Sequence, residues 1–184
     1  MKSSFEFRIY VGTYAKYNDG SLYGKWMDLA DYNDLKEFYN ACLALHEDEV
    51  DPELMFQDWE YVPDFLISES SLHKDTFTYI EAISRMDEER ANAFEIYCKH
   101  ITSWPDDNNE IEDQLESFNE SYQGYFGGFL TEPQEEFAYQ YIQDTGMLTD
   151  VPQTLASYFD YKAFAKDLFI DGYTDMQGHV FSVY

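Results

Sequence analysis

Positive charge is what this sequence lacks most. Its 184 residues hold 11 Lys and Arg against 37 Asp and Glu, a formal net charge of -26. Nucleic acid phosphates and anionic membranes both require positive potential on a partner, so direct binding to either is excluded. Cysteine is almost as scarce. Cys42 and Cys98 are the only two thiols; both fall in apolar helical patterns without CxxC spacing, which reads as buried, reduced thiols in a cytoplasmic protein. With 9 Gly and 5 Pro the chain is neither collagen-like nor a low-complexity linker. No apolar run approaches the ~18 residues of a membrane helix. The opening Met1-Lys2-Ser3-Ser4-Phe5-Glu6-Phe7-Arg8 becomes charged again before a signal-peptide core could form, so no signal peptide is expected.

High acidity with low hydropathy is ordinarily a signature of disorder. Here 17 Tyr, 15 Phe and 3 Trp make up 19% of the chain, and side chains of that size bury enough surface to drive folding. The charge is spread throughout. Residues 1–72 carry 15 acids and 5 bases, residues 73–118 carry 12 and 4, and residues 119–184 carry 10 and 2. An acidic tail on a neutral domain is thereby excluded.

The pattern predicts an α+β fold in three parts. Residues 1–72 read as α/β with a short antiparallel sheet. Phe5, Phe7, Ile9 and Val11 alternate as a half-buried strand, Asn18-Asp19-Gly20 marks a turn, and a second strand is expected near Leu22 to Leu29. Leu35, Phe38, Tyr39, Cys42 and Leu45 then recur at helical spacing after a cap at Asp31 or Asn33, with Asp51-Pro52 beyond. Residues 55–63 read as loop and short extended structure. Residues 73–118 read as helices: Asp75 opens one with Phe77, Ile80 and Ile83 inward, Asp87 another with Phe94, Cys98 and Ile101 inward, and Trp104 to Asn109 form a turn. Residues 119–184 return to α/β. A strand is expected at Gly124 to Leu130, a helix from Pro133 closed by Gly146, a helix capped by Asp160 through Ala163, Phe164, Leu168 and Phe169, and a last strand from His179 to Tyr184.

Catalytic and metal chemistry find little support. His46-Glu47-Asp48-Glu49 begins like a zinc-protease helix motif, but Val50 stands where the second His is required. Asp106 to Glu110 has oxygen donors at calcium-loop spacing, yet Ile111 replaces the required Gly and Ser117 the bidentate Glu. Neither a phosphate loop nor a nucleophile with a His partner is recognisable, so no catalytic, metal or cofactor residues are assigned. The informative feature lies in the helix expected near 109–122. Ile111, Leu115, Phe118 and Tyr122 share one face, while Glu112, Glu116 and Glu120 form a stripe on another with no Lys or Arg to relieve it. Like charges at i, i+4 cost about 0.2 to 0.5 kcal/mol per pair. A solvated face would be cheaper with mixed signs; uniform sign fits a basic partner, and a DNA-binding groove is the natural one.

Particular residues then carry a resemblance. Ile9 to Trp26 (IYVGTYAKYNDGSLYGKW), Tyr141 to Leu148 (YIQDTGML) with Val151-Pro152, Tyr158 to Phe164 (YFDYKAF) and Gly178 to Tyr184 (GHVFSVY) resemble ArdA-type antirestriction proteins. The resemblance implies a cytoplasmic, non-enzymatic DNA mimic encoded by mobile elements: an elongated homodimer of three small domains, at 1–72, 73–118 and 119–184, with the dimer contact in the last. It further implies occupation of the DNA-binding groove of type I restriction-modification complexes, chiefly the methyltransferase core, and an antirestriction motif near the dimer contact, here about Gly127 to Gly146. The candidate DNA-mimicking carboxylates are Asp87, Glu88, Glu95, Asp106, Asp107, Glu110, Glu112, Asp113, Glu116, Glu120, Glu132, Glu135, Glu136 and Asp144. Phe137 and Tyr141 lie on a different side of their helix from Ala138 and Ile142; either one pair faces a partner subunit, or both are edges of one broad core-facing stripe. The rival readings are an acidic enzyme or metal-binding protein whose carboxylates are solubilising, and an acidic chaperone for another basic protein.

Overall fold

The computed structural model describes residues 6–105, 110–127 and 132–183. Phe5, the turn residues Asp106 to Asn109, the strand positions Gly128 to Leu130, Thr131 and Tyr184 lie outside them. The chain is mixed helix and antiparallel sheet, and it gathers into two compact units, residues 1–115 and 116–184.

The first unit is built on a three-stranded sheet of order β2-β1-β3, from β1 (Arg8–Thr13), β2 (Lys25–Asp28) and β3 (Leu54–Glu60). The alternation in β1 is real: Ile9 and Val11 are buried between Arg8 and Tyr10. Between β1 and β2 the sequence conceals a short helix, α1 (Tyr14–Asn18), whose N-cap Thr13 accepts from the Lys16 amide. The second strand is shorter than expected, and Leu22 is 77% exposed. After it comes α2 (Leu35–Leu45), capped by Asp34 rather than Asp31 or Asn33. The Asp34 carboxylate accepts from the Glu37 amide at 2.8 Å, while the Glu37 carboxylate reaches past the N-cap to accept from the backbone amide of Asn33, a variant of the capping box. Residues 54–60, expected to be largely loop, form the full strand β3. Pairing with β1 overrides the mixed local pattern, and the register slips between Tyr10 and Val11 to absorb one extra residue. Phe38 and Cys42 of α2 then meet Phe56 and Met27 under the sheet.

The same unit also contains α3 (Thr76–Ile83) and α4 (Glu88–Ile96), the latter continued by a π-turn at Tyr97–Ile101. Of the expected inward residues of α3, Ile83 is buried but Phe77 and Ile80 are only half-buried, and the fully buried ring is Tyr79. The physical reason is a ring stack. Tyr79 lies nearly parallel to Phe94 at 5.7 Å and to Trp104 at 6.2 Å, with Phe65 edge-on. Trp104, assigned by sequence to a turn, is 2% exposed and completes this core.

Helix α5 (Ile111–Ser121) spans the boundary between the units. Its buried face is Ile111, Gln114, Phe118 and Ser121, with Leu115 half-buried; Tyr122 belongs to the next element, a strand. The second unit has a sheet of order β4-β6-β5, from β4 (Tyr122–Tyr125), β5 (Tyr173–Met176) and β6 (His179–Ser182), with helices α6 (Pro133–Thr145), α7 (Gln153–Ala156) and α8 (Tyr161–Asp171). Gly146 closes α6 in the left-handed conformation, and Asp160 caps α8 by accepting from the Ala163 amide, both as expected. Ala163 itself is exposed; the inner residues of α8 are Phe164, Ala165, Leu168 and Phe169. Strand β5 was not legible. It returns into β6 through Gln177-Gly178, both at positive φ, the tight hairpin that twisted strands prefer.

Phe137 is 5% exposed, with the rings of Phe126, Tyr141, Phe169 and Tyr173 around it. Tyr141 is half-buried against Phe164 and Tyr173, so Phe137 and Tyr141, like the buried Ala138 and Ile142, pack inside their own unit.

The Tyr79 hydroxyl is buried without a hydrogen-bond partner. Tyr79→Phe keeps the ring stack and removes the unsatisfied group, so it should raise stability by about 1 kcal/mol in chemical denaturation. Tyr79→Ala should instead lower it by about 3 to 5 kcal/mol, as for removal of a large core aromatic.

Candidate functional site

The acidic face of α5 stands as the sequence drew it. Glu112, Asp113, Glu116 and Glu120 are all exposed, on the side opposite Ile111, Gln114 and Phe118. With a rise of ~1.5 Å per residue, Glu112, Glu116 and Glu120 follow one another at ~6 Å along the axis, inside the ~8 Å screening length of physiological salt. Glu112 and Asp113 are in the first turn, where a carboxylate gains from the helix dipole. Glu120 is in the last turn, where it loses, and no basic residue is there to compensate. Helix stability therefore does not explain this arrangement.

The other candidates sort by exposure. Asp87, Glu88, Glu110, Glu132 and Asp144 are exposed, while Glu95, Glu135 and Glu136 are half-buried. Asp106 and Asp107 lie outside the described residues. Asp87 and Glu88 also have a local purpose, since Asp87 caps α4 through the Arg90 amide and Glu88 follows in its first turn. Burial raises the Glu95 carboxyl above the usual range; Lys99 opposes this and Asp64 reinforces it. The negative charge of Glu95 is consequently less secure than that of a free glutamate.

A second cluster was only half visible in the sequence. His46, at the C-cap of α2, is fully buried, and its Nδ1 lies 3.1 Å from Lys16 Nζ on α1. The same ammonium lies 2.8 Å from Asp48 and 3.1 Å from Glu49, and sits 4.5 Å above the Tyr23 ring. The Thr13 hydroxyl donates to Glu49 at 2.7 Å. An ammonium can only donate, so Nδ1 of His46 carries the lone pair and the imidazole is neutral. Burial is the main cause that lowers the His46 pKa, with the Lys16 charge next. Asp48 and Glu49 are held below the usual carboxylate range, chiefly by the Lys16 and Thr13 hydrogen bonds respectively. The sequence drew attention to His46 and its acids but gave no sign of Lys16, which is 30 positions away. Both thiols are buried, and burial raises Cys42 to about 12 and Cys98 further still, so neither is a nucleophile at neutral pH.

A family model described as antirestriction protein (ArdA) matches residues 9–181, nearly the whole chain. The chain belongs to the ArdA family of antirestriction proteins. No curated protein matches it. Membership bears out the resemblance carried by the opening strand, the α6 end and the α8 start, and it places the chain among proteins that counteract restriction rather than in a known enzyme family. For an ArdA protein, a charged face that weakens its own helix is a feature to be tested against restriction-modification systems. No helix among the described residues is long and apolar enough to cross a membrane.

Two outcomes are expected of these sites. Glu116 takes part in both like-charge pairs of the stripe, so Glu116→Gln should stabilise the free protein by about 0.4 to 1 kcal/mol in denaturant titrations while weakening, not strengthening, antirestriction. For the buried cluster the direction with pH follows from the lowered His46 pKa. The unfolded chain takes up a proton near pH 6.5 and the folded chain only at lower pH, so the stability that the neutral His46 contributes falls as pH drops from about 7.5 towards 5. Asp48 and Glu49 add a further loss below about pH 4.5, whereas Glu95, with its raised pKa, works in the opposite direction. Measured relative to His46→Gln, the denaturation midpoint of the unmodified protein should decline between pH 7.5 and about 5.5, since only the latter carries the His46 linkage.

Proposed function

We propose that this ArdA protein acts as a mimic of duplex DNA, its carboxylates standing in for phosphates in the DNA-binding groove of a type I restriction-modification complex, chiefly the methyltransferase core. The observation that carries the reading is the exposed one-sign face of α5, kept without a base on the helix and with Glu120 at the unfavourable dipole end. Membership of an antirestriction family supports it by supplying a partner that binds DNA. The candidate carboxylates of α4, α5 and α6 would act together, each contributing a modest contact. Removal of one exposed acid should cost on the order of 0.2 to 1 kcal/mol, as for an exposed ion pair.

On this reading the protein works in the cytoplasm of a cell receiving a mobile element, as a homodimer of elongated subunits in which 1–72, 73–118 and 119–184 form successive parts. The dimer contact belongs to the last part, whose own core holds Phe137 and Tyr141. Binding would be electrostatic, so it should weaken steeply with salt in the manner of a protein leaving DNA. The rival reading of a metal-dependent enzyme gains nothing from the His46 cluster, whose three donors are engaged by Lys16.

Expression of the protein in a type I restricting host should raise the plating of unmodified phage. Unchanged plating across several type I families would remove the reading's main support. With purified methyltransferase, the protein should compete with a DNA duplex, and the logarithm of its apparent affinity should fall linearly with the logarithm of salt concentration; a flat dependence would count against charge mimicry.

A further inference from the structure

The corner where β1 runs into α1 and α2 ends holds a preformed set of cation ligands. His46 Nδ1 and one carboxylate oxygen each from Asp48 and Glu49 lie within 4.8 Å of one another. One imidazole and two carboxylates are a donor set that zinc accepts. One ligand is supported from behind: Thr13, fully buried, donates to Glu49, while the buried His46 ring has the edge of Tyr23 against it at 5.7 Å and leaves its Nε2 without a hydrogen-bond partner. Independently of the acids, a cation is already seated there. The Lys16 ammonium is within 3.1 Å of all three donors, and its side chain is only 16% exposed. Its three hydrogens meet three lone pairs, as a metal ion would. On the solvent side, a surface pocket of about 670 Å³ is lined by Lys16, Tyr23 and Asp48 but by neither His46 nor Glu49, so the cluster is reached past Lys16 and Asp48.

We propose that His46, Asp48 and Glu49 form a divalent-metal site whose resident cation is the protein's own Lys16, so that removal of the Lys16 side chain turns it into a site for Zn²⁺ or Co²⁺. Two carboxylates and a neutral imidazole carry a charge that one ammonium only half neutralises, and a divalent ion would neutralise it fully. Metal–ligand bonds of ~2.0 to 2.2 Å are shorter than the present N···O and N···N contacts, so the donors must close in by up to ~1 Å. Asp48, 64% exposed, has the freedom to do this, while His46 and Glu49 are held. A tethered cation keeps this corner folded whatever the metal supply.

The experiment uses the full chain as Lys16→Ala, freed of metal with a chelator and titrated with Co²⁺ and then Zn²⁺. The expected result is the visible absorption of cobalt in a nitrogen and oxygen site, its displacement by Zn²⁺, and a rise in Tm of about 5 to 10 °C with Zn²⁺ at 100-fold over its Kd, reversed by chelator. The double variant Lys16→Ala/His46→Gln should show neither effect, which separates the site from diffuse binding to surface acids, and the unmodified protein should bind at least tenfold more weakly. Absence of binding by Lys16→Ala, equal binding by the unmodified protein, or retention of binding without His46 would each overturn the proposal. If Lys16→Ala does not fold alone, refolding in excess Zn²⁺ should restore its circular dichroism, and failure to do so would equally overturn it. None of these outcomes depends on which restriction complex the protein meets.

Discussion

Repulsion among like charges is the constraint to which the rest of this protein answers. With 37 carboxylates and 11 bases, most acids have no cation of their own. Among the described residues, several bases are placed with economy. Arg8 joins Glu60 across neighbouring strands, Arg85 joins Glu81 along α3 and beyond it, and Lys16 serves two carboxylates and a histidine at once. Much of the rest is held together against the field by apolar and aromatic contacts.

Aromatic packing is the opposing force. In the first unit the Phe94–Tyr79–Trp104 stack and the rings of Phe38, Tyr39 and Phe56 gather buried surface around a small number of residues. In the second, Phe137 and Phe181 do the same beneath α6, α8 and the β4-β6-β5 sheet. Large rings suit this purpose because each removes some 150 to 250 Å² from water at the cost of few rotatable bonds. The surface is thereby left to the carboxylates, and the acidic face of α5 can be kept for a partner even though it weakens the helix that bears it.

Much of the fold was written locally. Asp87, Asp160 and the Pro133 to Gly146 pair marked helix ends correctly because capping involves residues within three or four positions of one another. The acidic stripe of α5 was equally legible, since helical periodicity alone decides which side chains share a face. What was missed depended on partners distant in sequence. Residues 54–60 became a strand because β1 lay beside them, Tyr79 displaced Phe77 and Ile80 from the core because Trp104 came to stack on it, and β5 formed because β6 could pair with it.

The candidate sites divide in the same way. The sequence by itself determined the sign of the charge, its even distribution along the chain and the one-sided acidic helix, since these follow from composition and a period of 3.6 residues. Only the tertiary structure decided which acids reach solvent, as Glu112 and Glu116 do, and which are drawn partly inside, as Glu95 is. It alone brought Lys16 to His46, because a buried imidazole and two nearby carboxylates select a cation by distance and desolvation, and neither can be read from the order of residues along a chain.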